Sequence, residues 1–328
     1  MERKLSEHLH NNPLASIGML VYNGERYIRH ALDSLLAQDY ENFELIISDN
    51  ASTDRTQEIC LEYAARDKRI QYYRNRTNMG VRWNVNRVFK LSSGEYFMWA
   101  AHDDYRDPRY IRLCLEAFGI SKDIVLVGAQ CDSIDPETGK LIFTDEGLST
   151  IGLGVSERFK RYRLTLHGGR YVGGIFFGVY RRTALREVMP MKKVGMHLLD
   201  QLLLAEMCFQ GEFVTIPERL IVKRSGGLSR MADSLSNLAR ALGIDDRLSI
   251  IHKGYLLFKR TYLEREVALQ RTIFQSSKLT LPEKIEIACW SLSHTSRFVI
   301  RRVLSLGYQA LAASTRRLAI RMRKLWRS

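Results

Sequence analysis

The sequence predicts an α/β fold, a parallel sheet with helices on both faces, followed by a helical extension. Three observations carry this. Short apolar runs alternate with amphipathic stretches from residue 15 to residue 118. Polar clusters close three of those runs. After Arg230 the spacing of apolar residues becomes helical and the composition basic.

The first run, Ala15 to Tyr22, reads as a buried strand, and Asn23-Gly24 turns the chain. In Glu25 to Gln38, residues Tyr27, Ile28, Ala31, Leu32, Leu35 and Leu36 fall on one helical face. Phe43 to Ser48 is a second strand ending in the polar turn Asp49 to Asp54, where Thr53 or Asp54 can cap a helix over Thr56 to Arg66. Ile70 to Arg74 is a third strand, Asn75 to Gly80 a loop and Val81 to Leu91 a helix. Glu95 to Ala101 is a fourth strand running into His102-Asp103-Asp104, and Pro108 opens a helix through Phe118.

Such an alternation gives a parallel sheet, and ligands of parallel sheets bind beyond the carboxyl ends of the strands. Tyr22-Asn23, Asp49 to Asp54 and His102 to Asp104 all stand at such ends. The second half is less regular. Ile124 to Cys131 reads as a strand, Asp135 to Lys140 as a hairpin-like turn and Ile175 to Tyr180 as a strand after Gly173-Gly174. Leu198 to Phe209 reads as an apolar helix.

Composition narrows the class. The formal charge is +14, and residues 287–328 hold nine Arg or Lys and no Asp or Glu. A basic amphipathic tail containing Trp326 suits an anionic membrane surface, or packs on the α/β region with a solvated basic face. No nucleic-acid motif accompanies the charge, so nucleic acid is not the expected partner. The five cysteines form no CxxC pair and read as reduced core residues. The polar N-terminus reads as no signal peptide, and no stretch is long and apolar enough to span a bilayer. The expected location is cytoplasmic, with peripheral attachment to the inner membrane face through the tail.

Asp103 and Asp104 are the expected metal ligands. Hard divalent cations take carboxylate and phosphate oxygens, so Mn²⁺ or Mg²⁺ fits a carboxylate pair at a strand end. The ordinary alternative is a helix-capping pair before Pro108. Asp49 can accept from the N3–H of uracil, or close an Asx turn onto Ser52.

Residues 15 to 115 closely resemble the inverting family 2 glycosyltransferases of the GT-A fold. The matching segments are Val21 to Glu25 with Tyr27-Ile28, Ile46 to Thr56, Asn78-Met79-Gly80 with Asn86, Gly94-Glu95-Tyr96, and Asp103-Asp104 with Pro108. The resemblance implies a Rossmann-like mixed sheet with helices on both faces over residues 13–230, and a basic helical extension over 231–328. It implies that Tyr22, Asn23, Glu25, Asp49, Asn78, Gly80 and Asp103 line a nucleotide-sugar site. Arg224, in a segment resembling a mobile family loop, can contact the diphosphate. The family often shows Asp-x-Asp-Asp, and here Ala101 and His102 stand in the first two positions. The family's base opens a helix ahead of a Gly-x-Phe strand. Asp200, before Gly211-Glu212-Phe213, matches it, with His197 as the fallback. Gly173 to Arg181 resembles the acceptor-side strand.

The implied reaction is one inverting transfer from a nucleotide-diphosphate sugar, first a UDP-sugar, to a saccharide or lipid-linked saccharide. The processive Gln-x-x-Arg-Trp motif is lacking. Two rivals stand beside it. A nucleotidyltransferase needs a Gly-rich, Arg-bearing loop after the first strand, where this chain has Tyr22 to Glu25. A non-catalytic scaffold of the same fold is kept open by Ala101.

Overall fold

The computed structural model describes residues 12–167, 173–191, 199–224 and 265–295. The chain divides into two compact units, Met1–Met231 with Gln275–Leu279, and Ala232–Phe274 with Thr280–Ser328.

The first unit begins as the alternation predicts: β1 (Ala15–Val21), α1 (Ile28–Leu36), β2 (Phe43–Asp49), α2 (Thr56–Arg66), β3 (Ile70–Arg74), α3 (Val81–Leu91) and β4 (Tyr96–Ala101). Then come β5 (Tyr105–Arg106), α4 (Tyr110–Phe118), β6 (Ile124–Ile134), β7 (Leu141–Asp145) and α5 (Val155–His167). The unit ends with α6 (Gly173–Phe176), β8 (Val179–Arg181), α7 (Arg182–Val188), α8 (Leu199–Gln210) and β9 (Glu212–Arg224).

The sheet order is β3-β2-β1-β4-β8-β6-β9-β5, with β7 on β6. The first four strands are parallel, and β8 then pairs antiparallel with both β4 and β6. The parallel half is buried on both faces, which is why its strands are continuously apolar. Ile17, Met19, Leu45, Ile47 and Met98 meet Ile28, Ala31, Leu32 and Leu35 of α1 on one face. On the other, Trp99 stacks at 5.1 Å on Phe176 and lies edge-on to Phe97 and Tyr180.

Two expectations change here. Ile175 to Tyr180 is not one strand: Gly173–Phe176 is a helical turn, and Gly178 N–H donates to Ile175 O at 3.0 Å before β8 starts. Asp145 fixes that turn, because its Oδ2 accepts from Gly174 N–H at 3.1 Å. Four cysteines are buried as expected, but Cys289 is exposed.

In the second unit, helices occupy 265–275 and 281–295. Thr280 and Glu283 form a capping box at the start of the latter, with both Thr280 N–H and Oγ1 donating to Glu283 Oε2 at 2.8 Å. The buried Glu266 carboxylate joins the two helices. It accepts from Ser291 Oγ at 2.7 Å and from Thr295 Oγ1 at 2.8 Å. His197, the segment after Arg224 and the basic residues from Arg297 onward lie outside the described residues.

Candidate functional site

The loops after β1 and β2 are zipped together, and the zipper uses several expected site residues. Asn23, at φ 50°, donates its N–H to Ser52 Oγ at 2.9 Å and accepts Thr53 N–H on Oδ1 at 2.8 Å. Gly24 N–H donates to Thr56 Oγ1 at 2.8 Å. Glu25 N–H reaches Asp54 Oδ2 at 3.0 Å, and Glu25 Oε2 accepts Arg55 N–H at 2.9 Å. The structure thus gives the Asn23 and Glu25 side chains a holding role. Tyr22 stays exposed at the rim.

Gly24 also brings the first loop to the fourth strand. A Cβ there would stand 2.6 Å from the His102 ring, so only glycine allows this approach. The Tyr22–Glu25 loop therefore lies beside His102-Asp103-Asp104.

Asp49 is fully buried at the end of β2. Its Oδ1 accepts Ser52 N–H at 2.8 Å, the expected Asx turn. Its Oδ2 accepts the Tyr72 hydroxyl at 2.6 Å and lies 3.5 Å from Arg74 Nε. Burial, then Asp49, pushes the Tyr72 phenol well up, so its O–H stays a donor. Carboxylate oxygens have more lone pairs than these bonds use, so Asp49 retains acceptor capacity. Arg74 also donates to Ser52 O at 2.7 Å. Sequence reading missed it, although the strand-end logic applied to β1, β2 and β4 singles it out at the end of β3.

Asn78 is placed from the same side. Its Oδ1 accepts from Asn50 Nδ2 at 2.7 Å and from Gly80 N–H at 2.9 Å. Gly80 starts α3 at φ 81° with open space around it. Tyr22, Asn23, Glu25, Asp49, Asn78 and Gly80 thus gather at the ends of β1 to β3.

Asp103 and Asp104 follow β4 and meet the end of β9. Arg224 Nη1 donates to Asp103 O at 2.6 Å, and the guanidinium lies 4.8 Å from the Tyr27 ring centroid. Asp104 is buried, and its Oδ2 has no hydrogen-bond partner among the described residues. Arg106 Nη1 is 4.0 Å from that oxygen. Burial pushes the Asp104 carboxyl up, against the pull of Lys223 and Arg106. A buried acceptor oxygen left open beside a second carboxylate fits a hard cation whose other ligands come from a diphosphate. Among the described residues no cluster of three His, Cys, Asp or Glu could hold a metal alone.

Asp200 lies in the first turn of α8. Its Oδ1 accepts Gln201 N–H at 2.8 Å. Its charge reaches Tyr180, whose phenol is raised first by burial and then by Asp200.

The fold is that of the GT-A glycosyltransferases. Staphylococcal TarS, residues 1–349 in complex with UDP, superposes with a TM-score of 0.52 at 15% identity, over 85% of this chain and 70% of that one. The model of the family "Glycosyl transferase family 2" matches residues 16–189, more than half of the chain, and the protein belongs to that family. An uncharacterized glycosyltransferase of Rickettsia typhi is 37% identical over 133 residues, 40% of this chain and 41% of the relative. One of Haemophilus influenzae is 32% identical over 126 residues, 38% and 39% of the two chains. The chain thus spans about two fifths of the length of these relatives.

Proposed function

We propose that the protein moves a single sugar from a nucleotide-diphosphate sugar, first a UDP-sugar, to the hydroxyl of a saccharide or lipid-linked saccharide, with inversion. The supporting observation is the meeting of Asp103, Asp104 and Arg224 beside the zipped loops that carry Asn23 and Asp49. The bound UDP of TarS puts UDP first among the nucleotides to test.

Each group has a task in this reading. The ends of β1 to β3 hold the nucleoside, with Asp49 taking the N3–H of uracil. Asn78 and Gly80 border it. Arg224 is a donor toward the diphosphate. Asp103 and Asp104 would hold Mn²⁺ or Mg²⁺, which when bound neutralises charge on the leaving diphosphate. Asp200 takes the acceptor proton as the hydroxyl attacks the anomeric carbon from the face opposite the leaving group.

The setting is cell-surface polysaccharide or lipid-linked oligosaccharide assembly on the cytoplasmic face of a membrane. No helix among the described residues is long and apolar enough to cross a membrane. One observation supports a surface-bound protein. Leu281, Ile285 and Leu292 are exposed on the helix that leads into the basic tail.

Calorimetric titration with UDP, GDP and dTDP, with and without Mn²⁺, tests the donor site. Tight, Mn²⁺-dependent binding of one nucleotide, lost in Asp103→Ala/Asp104→Ala, is expected. Ala101, where the family often has an acid, keeps open the alternative of a non-catalytic scaffold in polysaccharide assembly. Metal-dependent hydrolysis of a nucleotide sugar rules that alternative out.

A further inference from the structure

The turn between β6 and β7 closes back on the loop before α1. Its tip is braced from within. Asp135 Oδ1 accepts the N–H groups of Glu137 at 3.0 Å and Thr138 at 2.7 Å, and the Thr138 hydroxyl at 2.9 Å. Asp135 N–H donates to Lys140 O at 2.8 Å, and Gly139 N–H to Asp135 O at 2.9 Å. A tip held this way presents Pro136 O and the Glu137 carboxylate as fixed acceptors. The loop before α1 takes both. Arg26 donates two bonds to Glu137, Nη1 to Oε1 at 2.9 Å and Nη2 to Oε2 at 3.0 Å, and the Tyr27 hydroxyl donates to Pro136 O at 3.4 Å.

These contacts form one circuit with Arg224. In the parallel pair of β6 and β9, Ile134 stands opposite Arg224, one residue before the turn. The Arg224 guanidinium carbon lies 4.8 Å from the Tyr27 ring centroid, and Tyr27 returns to Pro136, two residues past Ile134. Arg26 completes the circuit, its guanidinium carbon 4.9 Å from the same ring while its nitrogens hold Glu137. The Arg26–Glu137 pair is exposed on both sides, so it adds little to the stability of the fold. What it fixes is the Tyr27 ring beside Arg224.

We propose that the β6–β7 turn is a latch that positions the donor-binding cation: Glu137 and Pro136 O hold Arg26 and Tyr27, the Tyr27 ring holds Arg224, and Glu137 thereby sets donor affinity without touching the donor. This rests on the donor-site reading above, in which Arg224 faces the diphosphate, and it adds Glu137 and Arg26 as positioning residues. The pair is neutral as a whole, so removing both charges together opens the latch without adding charge beside the site.

The test is calorimetry of UDP and of GDP, each with Mn²⁺, on wild type, Arg26→Gln/Tyr27→Phe/Glu137→Gln, Arg224→Met and the four substitutions combined, with a thermal melt of each. The triple variant keeps the aromatic ring and loses the three bonds to the turn. Its nucleotide affinity should fall about two- to fivefold, the scale of an exposed ion pair, with the melt unchanged. The fall should be smaller than that of Arg224→Met, because the latch acts only through Arg224. In the Arg224→Met background the same three substitutions should change nothing, which a loosened fold cannot reproduce. Wild-type affinity in the triple variant overturns the inference. So does a fall of the same size in the Arg224→Met background. Those results leave the donor reading standing. Failure of wild type to bind UDP or GDP under any condition overturns that reading and this inference with it.

Discussion

Tyr27 is the platform on which Arg224 rests, its ring centroid 4.8 Å from the guanidinium carbon while Nη1 donates to Asp103 O. Tyr27 comes from the loop before α1 and Arg224 is the last residue of β9, so the contact ties two ends of the unit beside Asp103-Asp104. A cation–π contact of this kind is worth roughly 0.5–2 kcal/mol. Tyr27→Leu should therefore weaken donor binding by about two- to tenfold through a less ordered Arg224. Arg224→Met should cost more, because it also removes the donor toward the diphosphate. Calorimetry beside a thermal melt checks both, and unchanged affinity in Arg224→Met would remove Arg224 from the site.

Asp200 invites a different kind of measurement, since a base acts on the acceptor and not on the donor. Asp200→Asn keeps the shape of the side chain, and its amide oxygen can still accept Gln201 N–H. Transfer should fall by about 10² to 10⁴, the usual contribution of a positioned base. Nucleotide affinity should stay unchanged. If Asp200→Asn transfers normally and His197→Ala does not, the base is His197.

The uneven legibility of the chain follows from how far each signal reaches. The parallel half was readable because each strand is buried on both faces and bounded by its own turns, so the pattern is local. β8 has three residues and β5 two, too few for any periodicity. β9 is interrupted by exposed Pro217, Glu218 and Arg219, so its apolar ends read as separate pieces. The strand-end carboxylates were readable for the same local reason. What surrounds them was not. Tyr72 reaches Asp49 through the pairing of β3 with β2, and Arg224 reaches Asp103 O beside that of β9 with β5. Such registers join segments far apart in sequence.

Membrane attachment can be tested on the helix over 281–295. Leu281, Ile285 and Leu292 recur at spacings of four and seven, which keeps them on one face, and all three are exposed. The nine basic residues of 287–328 follow directly. The protein should sediment with phosphatidylglycerol vesicles and not with phosphatidylcholine vesicles. Binding should fall with added salt, because headgroup attraction is screened. Ile285→Ser/Leu292→Ser should weaken it severalfold with the melt unchanged. Equal sedimentation with both vesicle types, or with neither, would count against the attachment.

Glu44 offers a test of how the sheet holds the site, through pH. Its Oε1 accepts from Ser16 Oγ at 2.6 Å, Ser93 N–H at 2.7 Å and Ser93 Oγ at 2.8 Å, while Oε2 accepts from Gln71 Nε2 at 3.0 Å. One carboxylate on β2 thus links β1, β3 and the turn before β4. Burial pushes its carboxyl up, but the hydrogen bonds from Ser16, Ser93 and Gln71 outweigh it, and the net shift is downward from 4.5. The sign follows. A carboxyl whose folded value lies below its unfolded value stabilises the fold fully above the unfolded value, and that stability is lost as pH falls through the folded one. Glu44→Gln should destabilise the protein by about 1–3 kcal/mol at pH 7, since the amide group cannot accept all four bonds. Its melting temperature should also drop less than that of wild type as pH falls below the usual carboxyl value of 4.5 and through the depressed folded one. Denaturant titration of both proteins across that range makes the comparison. Parallel pH profiles would show that Glu44 is not a charged hub of the fold.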